Sequence, residues 1–265
     1  MSQCQSAQVV PVRTKILVVW ILLILSSGLF LFLIPRHTYR HIDTDTDPIT
    51  ATGFRAIESG DLGLAESSLL ESVRRNPNQD RPYLGLAMVR RLKGDLEQAS
   101  RDIEKAILKN PNQPEYHVAR ASILRDRGQY DQALASCQRA IEADSQHVGA
   151  FQEAGYIHYI QGNHREARRL LYRALALKPD LVNAERLLGS SYLAENKPQQ
   201  AIPSWRRLVE REPANAENHF YLGVCLLEAG EREEGREELL RSAELDAAVY
   251  ASRVQDRLTY YGLEN

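Results

Sequence analysis

Along most of this chain the same kinds of residue return every 34 positions, and that period constrains the fold more than any single motif does. Stepping by 34 from Pro111 reaches Pro77, Ser145, Pro179, Pro213 and Ala247. Stepping from Ala99 reaches Ala65, Ala133, Ala167, Ala201 and Gly235, all small. Stepping from Gly94 reaches Gly60, Gly128, Gly162, Asn196 and Gly230. Asparagine is the residue that most readily replaces glycine where a helix ends in the left-handed conformation. Three unrelated positions sharing one period make a repeat.

Each repeat reads as two short helices. In the stretch 80–113, Tyr83, Leu84, Leu86, Ala87, Met88, Val89 and Leu92 predict a largely buried helix over 82–93 that breaks at Gly94. Leu96, Ala99, Ile103, Ala106 and Ile107 recur at three and four, one apolar stripe on a helix over 96–109 that Asn110-Pro111 stops. Small residues at Gly53, Ala87, Ala121, Gly155, Gly189 and Gly223 on the first helices are expected to face the Ala65 to Gly235 series on the second, where the backbones cross. A pair this short cannot bury its own apolar face, so the pairs must stack and the fold must be a solenoid.

The pattern resembles the tetratricopeptide repeat, whose unit carries an early aromatic, Leu-Gly, a helix-breaking Gly, two Ala and a Pro. Leu188-Gly189 with Tyr192, and Leu222-Gly223, carry the first-helix signature. The resemblance implies an all-α, right-handed superhelical solenoid of six helix-turn-helix units at 46–79, 80–113, 114–147, 148–181, 182–215 and 216–247. Leu208 and Gly235 depart from the pattern in the fifth and sixth units. Past Ala247 the register fails, because Arg257 falls at the small station. Tyr250, Val254 and Leu258 give 248–265 one apolar edge, which suits a capping helix.

Composition excludes more than it proposes. A net charge of −2 offers no basic surface for nucleic acid. Cys4, Cys137 and Cys225 form no CxxC pattern, and Cys137 and Cys225 are too far apart along a stack to pair. No phosphate-binding loop, nucleophile elbow or Cys/His cluster is present, so no catalytic, cofactor-binding or metal-binding residues are assigned and an enzyme is not expected. Asp43, Asp45 and Asp47 begin like a calcium loop, but Pro48 and Phe54 stand where Gly and Glu are required. His37 and His41 lack a third ligand.

Residues 1–15 form a polar tail. The uncharged run Ile16 to Ile34 would span about 28 Å as a helix, so a single-pass membrane anchor is expected there. Arg13 and Lys15 on one side balance Arg36 and Arg40 on the other, and the terminal amine then favours the repeats on the extracytoplasmic side. The linker 35–45 reaches about 40 Å at most and would hold the stack near the bilayer.

What remains for function is a surface. In the resembled family the first helices line a concave groove, which here implies Leu84, Met88, Arg91, Ser122 and Arg125 in the early units. Gln152, Tyr156, Tyr159, Asn183, Arg186, Ser190, Phe220 and Tyr221 follow in the later ones. Aromatics and Arg dominate binding energy at interfaces, although Tyr156, Tyr159 and Phe220 could equally pack on neighbouring helices. Arg125 and Arg186 would suit an extended segment with acidic or polar groups. The expected function is a membrane-anchored scaffold for a protein or peptide partner, resembling envelope proteins that assist assembly. The alternatives are a self-associating structural component and a regulatory subunit of a separately encoded enzyme.

Overall fold

The computed structural model describes residues 47–263, which form thirteen α-helices and no strands. They pair in order as α1 (Pro48–Ser59) with α2 (Leu62–Arg75), α3 (Arg81–Leu92) with α4 (Leu96–Lys109), and α5 (Pro114–Asp126) with α6 (Tyr130–Ala143). Next come α7 (Val148–Ile160) with α8 (His164–Leu177), α9 (Val182–Ala194) with α10 (Pro198–Arg211), and α11 (Ala216–Ala229) with α12 (Arg232–Leu245). A single helix, α13 (Ala247–Tyr261), ends the series.

Local chemistry sets the breaks. Asp61, Asp95 and Asp246 accept the backbone N–H of Leu64, Gln98 and Val249, satisfying donors that have no partner inside a helix. Asp47 does the same for Ile49 and Thr50 and also accepts from the hydroxyls of Thr50 and Ser72, tying the start of α1 to α2. Within each pair the chain reverses through one residue of positive φ. Five of these turns use glycine and the sixth uses Asn196, at φ 57°, the one non-glycine in that region among the described residues.

The crossings show what the period is for. Each second helix carries a fully buried side chain four residues after its small station: Leu69, Ile103, Cys137, Leu171, Trp205 and Leu239. A Cβ built on Gly53 would stand 2.6 Å from Leu69, on Gly155 2.9 Å from Leu171, on Gly189 2.6 Å from Trp205 and on Gly223 2.8 Å from Leu239. The small first-helix residue is therefore a socket for a large side chain as well as a point of backbone approach. Gly223 shows both, because its Cβ would also lie 2.9 Å from the carbonyl oxygen of Gly235. Gly85, which the period does not mark, opens a second socket for Leu69 from the neighbouring unit, at 2.7 Å.

Each second helix packs on its own first helix and on the first helix of the next unit, and successive first helices from α1 to α9 also touch one another. Second helices make no comparable contact among themselves, so the first helices line the inner side of the stack. Helix α13 closes the end by packing on α12 and α11, where Tyr250, Val254 and Leu258 join Phe220, Val224 and Leu239 in one cluster.

Among the described residues no helix is long and apolar enough to cross a membrane. This corrects the single-pass localisation expected from the sequence, and with it the extracytoplasmic placement. The run 16–34, the linker 35–45 and His37 and His41 lie outside the described residues. The envelope-assembly role leaned on that anchor and loses its support with it.

Two glycine substitutions of opposite sign test the socket geometry. Gly223→Ala drives a methyl into backbone atoms and should cost about 1–3 kcal/mol, lowering the melting midpoint by several degrees. Gly63→Ala on α2 meets only Asp61 at 3.5 Å and should stabilise by about 0.4–1 kcal/mol by restricting the unfolded chain. Thermal melts of the two variants beside the parent check both signs.

Candidate peptide-binding face

The inner face divides into two regions of different chemistry. On its early half a chain of ion pairs runs across three units. Arg91 on α3 pairs with Asp126 at the end of α5 at 2.8 Å, and Asp126 is shared with Arg125 at 2.7 Å. Arg125 reaches on to Glu153 of α7 at 2.7 Å while its guanidinium lies 4.8 Å from the centre of the Tyr156 ring. Burial works against the charge on Arg125, but Glu153 and Asp126 outweigh it and hold its pKa above the ordinary value. Leu84 and Met88 are both buried. Ser122 returns its hydroxyl to the carbonyl of Val118, 3.2 Å away.

The later half is aromatic. Tyr156 and Tyr159 lean on Leu171, Ala184 and Leu187 while keeping part of their surface in solvent. The carbonyl of the neighbouring Gln152 side chain is buried without a hydrogen-bond partner. Burial raises the phenol of Tyr156, and that of Tyr159 to about 12. Both tyrosines therefore stay neutral at ordinary pH and can donate as well as accept. Asn183 stands partly exposed in the first turn of α9.

At the junction of the fifth and sixth units Tyr221 stacks on Trp205, ring centres 4.7 Å apart and planes at 21°. Phe220 turns the other way: it is 4% exposed and belongs to the cluster under α13, 5.3 Å from Tyr250. Of the two open possibilities for Phe220, the structure takes packing over groove lining. Helices α9 and α11 make no close approach of the kind seen between the other neighbouring first helices. Arg186 fills the space between them. It is 3% exposed and meets Glu212 and Asn218 at 3.4 Å each and Glu217 at 3.9 Å.

Arg91, Arg125 and Arg186 thus all come paired with carboxylates from this chain. The expectation that Arg125 and Arg186 stand ready for an acidic ligand is corrected accordingly, since a ligand would have to displace an existing partner from either. The residue that the sequence reading passed over is Arg253 of α13. It lies on the capping helix, over Phe220 and Tyr250 and beside Tyr221. No period marks it, because α13 is outside the repeat.

The profile of a family described as tetratricopeptide repeat matches residues 84–148, 118–182 and 186–250, more than half of the chain. No curated protein matches the chain. Among solved structures it is similar to PilW, described as a widely conserved type IV pilus biogenesis factor, with TM-score 0.69 and 18% identity over 79% of this chain and 96% of that one. It is similar also to YrrB, described as a TPR protein with an unusual peptide-binding site, with TM-score 0.57 and 18% identity over 72% of this chain and 98% of that one. A chain of the APC/C hetero-tetramer Cut9–Hcn1 matches with TM-score 0.68 and 15% identity over 79% of this chain but only 42% of its own length. At such identities the likeness is one of fold alone.

Because Arg186 is buried, its removal reads out stability before it reads out binding. Arg186→Ala leaves Glu212 and Asn218 without their cation and opens a void, and should cost about 2–3 kcal/mol. Arg186→Met keeps most of the volume and lets the partly exposed Glu212 relax into water, so it should cost about half as much. Equal melting midpoints for the two variants would assign the whole effect to charge and none to packing.

Proposed function

Because the chain belongs to the tetratricopeptide repeat family, we propose that its stack is a scaffold that holds a protein partner through an extended segment laid along the inner face. The observation that carries this reading is the uneven finish of that face. The early half has its charges cancelled, Arg91 and Arg125 against Asp126 and Glu153, at pairs placed between successive units. The later half presents Gln152, Tyr156, Tyr159, Asn183 and Tyr221, partly exposed groups with an apolar body and a polar end.

Neutral phenols and a buried amide carbonyl without a partner suit a peptide backbone, which offers donors and acceptors at regular intervals. Tyrosine held by its neighbours loses little conformational freedom on binding, so its contact area converts efficiently into affinity. Phe220 and Met88 are buried and make no direct contact with a partner. Arg186 keeps α9 and α11 at their spacing. The contacts with a partner then fall to the residues that remain partly open.

The test is a selection of random dodecapeptides against the full chain. Peptides should be retained, and Tyr156→Ser with Gln152→Ala should weaken the best of them about tenfold. Leu108→Ser on the outer surface, where Leu108 is 82% exposed, should leave binding unchanged. The opposite pattern, or retention of no peptide, overturns the reading. Light scattering of the same preparation across a concentration series distinguishes it from a role in self-association.

A further inference from the structure

Every other arginine on the inner face has a carboxylate from this chain, but Arg253 joins no ion pair among the described residues. Its guanidinium lies over two buried rings, 4.4 Å from the centre of Phe220 and 5.1 Å from that of Tyr250. Stacking occupies the faces of a guanidinium and leaves the donors at its edge, all in one plane, free to bond. The hydroxyl of Tyr221 lies beside that fork of donors. Among the described residues no carboxylate pairs with the fork.

The surroundings hold this fork in place. Tyr221 is stacked on the fully buried Trp205 and makes an edge contact with Phe220 at 5.6 Å, so its hydroxyl cannot swing away. Phe220 and Tyr250 are both buried in the cluster that fastens α13 to α11 and α12. Behind the same phenol lies Arg186, whose Nη1 is buried with no hydrogen-bond partner. Burial raises the Tyr221 phenol, and Glu217 adds to that, while Arg253 and Arg186 pull the other way. Two guanidinium groups therefore act at one hydroxyl, with Glu217 as the opposing charge.

We propose that Arg253 and the Tyr221 hydroxyl form the subsite that takes an aspartate or glutamate side chain of the extended segment bound along the inner face. The inference rests on the peptide-scaffold reading and adds the chemistry of one ligand position. The stacked, preorganised fork accepts a carboxylate at little further entropic cost, and the partly excluded site strengthens the bond. Glu217 then sets selectivity. It lies 3.9 Å from Arg186 and disfavours a second carboxylate nearby, so its neutralisation should tighten acidic ligands.

The probe is the dodecapeptide selected on the full chain, resynthesised with an amidated C-terminus in two forms that differ only as Glu or Gln at the acidic position. The parent should prefer the Glu form about tenfold, and Arg253→Met should reduce that ratio to about one. Because the readout is a ratio, loss of folded protein lowers both affinities and leaves it intact. Glu217→Gln should raise the ratio by about threefold. Equal binding of the two peptides by the parent, or a ratio unmoved by Arg253→Met, overturns the assignment while the scaffold reading stands. A preference that appears only with a free terminal carboxylate overturns it too. If no peptide is retained by the parent, both readings fall.

Discussion

The structure depends on one contact repeated six times: a fully buried side chain of each second helix set against a small residue of the first. Leu69, Leu171, Trp205 and Leu239 lie so close to Gly53, Gly155, Gly189 and Gly223 that no Cβ fits between them. Where the second helix offers Cys137, the first helix carries Ala121 in the same cluster. This close approach puts the paired helices at a spacing at which their remaining apolar edges reach the next unit. A repeat stack has no other source of long-range order, because each unit touches only its neighbours. The inner face inherits its spacing from these sockets, and with it the registry of every group that could meet a partner.

That registry explains why the arginines of the face are committed. First helices on the inner side are brought together, and an arginine near the end of one comes within reach of a carboxylate on the next. Asp126 sits between Arg91 and Arg125 in this way, and Glu153 takes the other side of Arg125. Such partly exposed pairs contribute modestly to stability one at a time. Their larger consequence is electrostatic, since they leave the early half of the face without free charge. The later half of the face presents partly exposed tyrosines instead.

The elements were legible in the sequence because each of their signals is local. A glycine station every 34 residues predicts a left-handed turn whatever surrounds it, and Asn196 adopts one at φ 57°. Apolar spacing likewise gave a helix over 96–109, the range that α4 occupies. The pairing of charges was not legible, since it is set by approach between units. Asp126 lies 35 residues from Arg91 and Glu153 lies 28 from Arg125, and among 35 acidic residues no spacing rule selects these two. Phe220 was ambiguous for a related reason. Its neighbour on one side is another repeat and on the other a capping helix whose approach no period describes. Gly85 and Arg253 escaped notice because neither stands at a repeated station.

The fifth unit shows how a departure from the consensus becomes a local property. Trp205 occupies the station that holds Leu, Ile or Cys elsewhere, and Gly189 makes room for its ring. An indole reaches further than a leucine, and here it extends to Tyr221 of the next unit, where the rings stack. Helices α9 and α11 then do not close on each other as their counterparts do, and the space is lined by Arg186 and Asn218. Burying an arginine in such a gap is costly unless it is bonded, and Glu212, Glu217 and Asn218 partly meet that requirement. The Nη1 that stays unpartnered marks where the compensation is incomplete. One enlarged side chain at a packing station therefore leaves a polar, imperfectly satisfied seam on the inner face, beside the fork that α13 supplies.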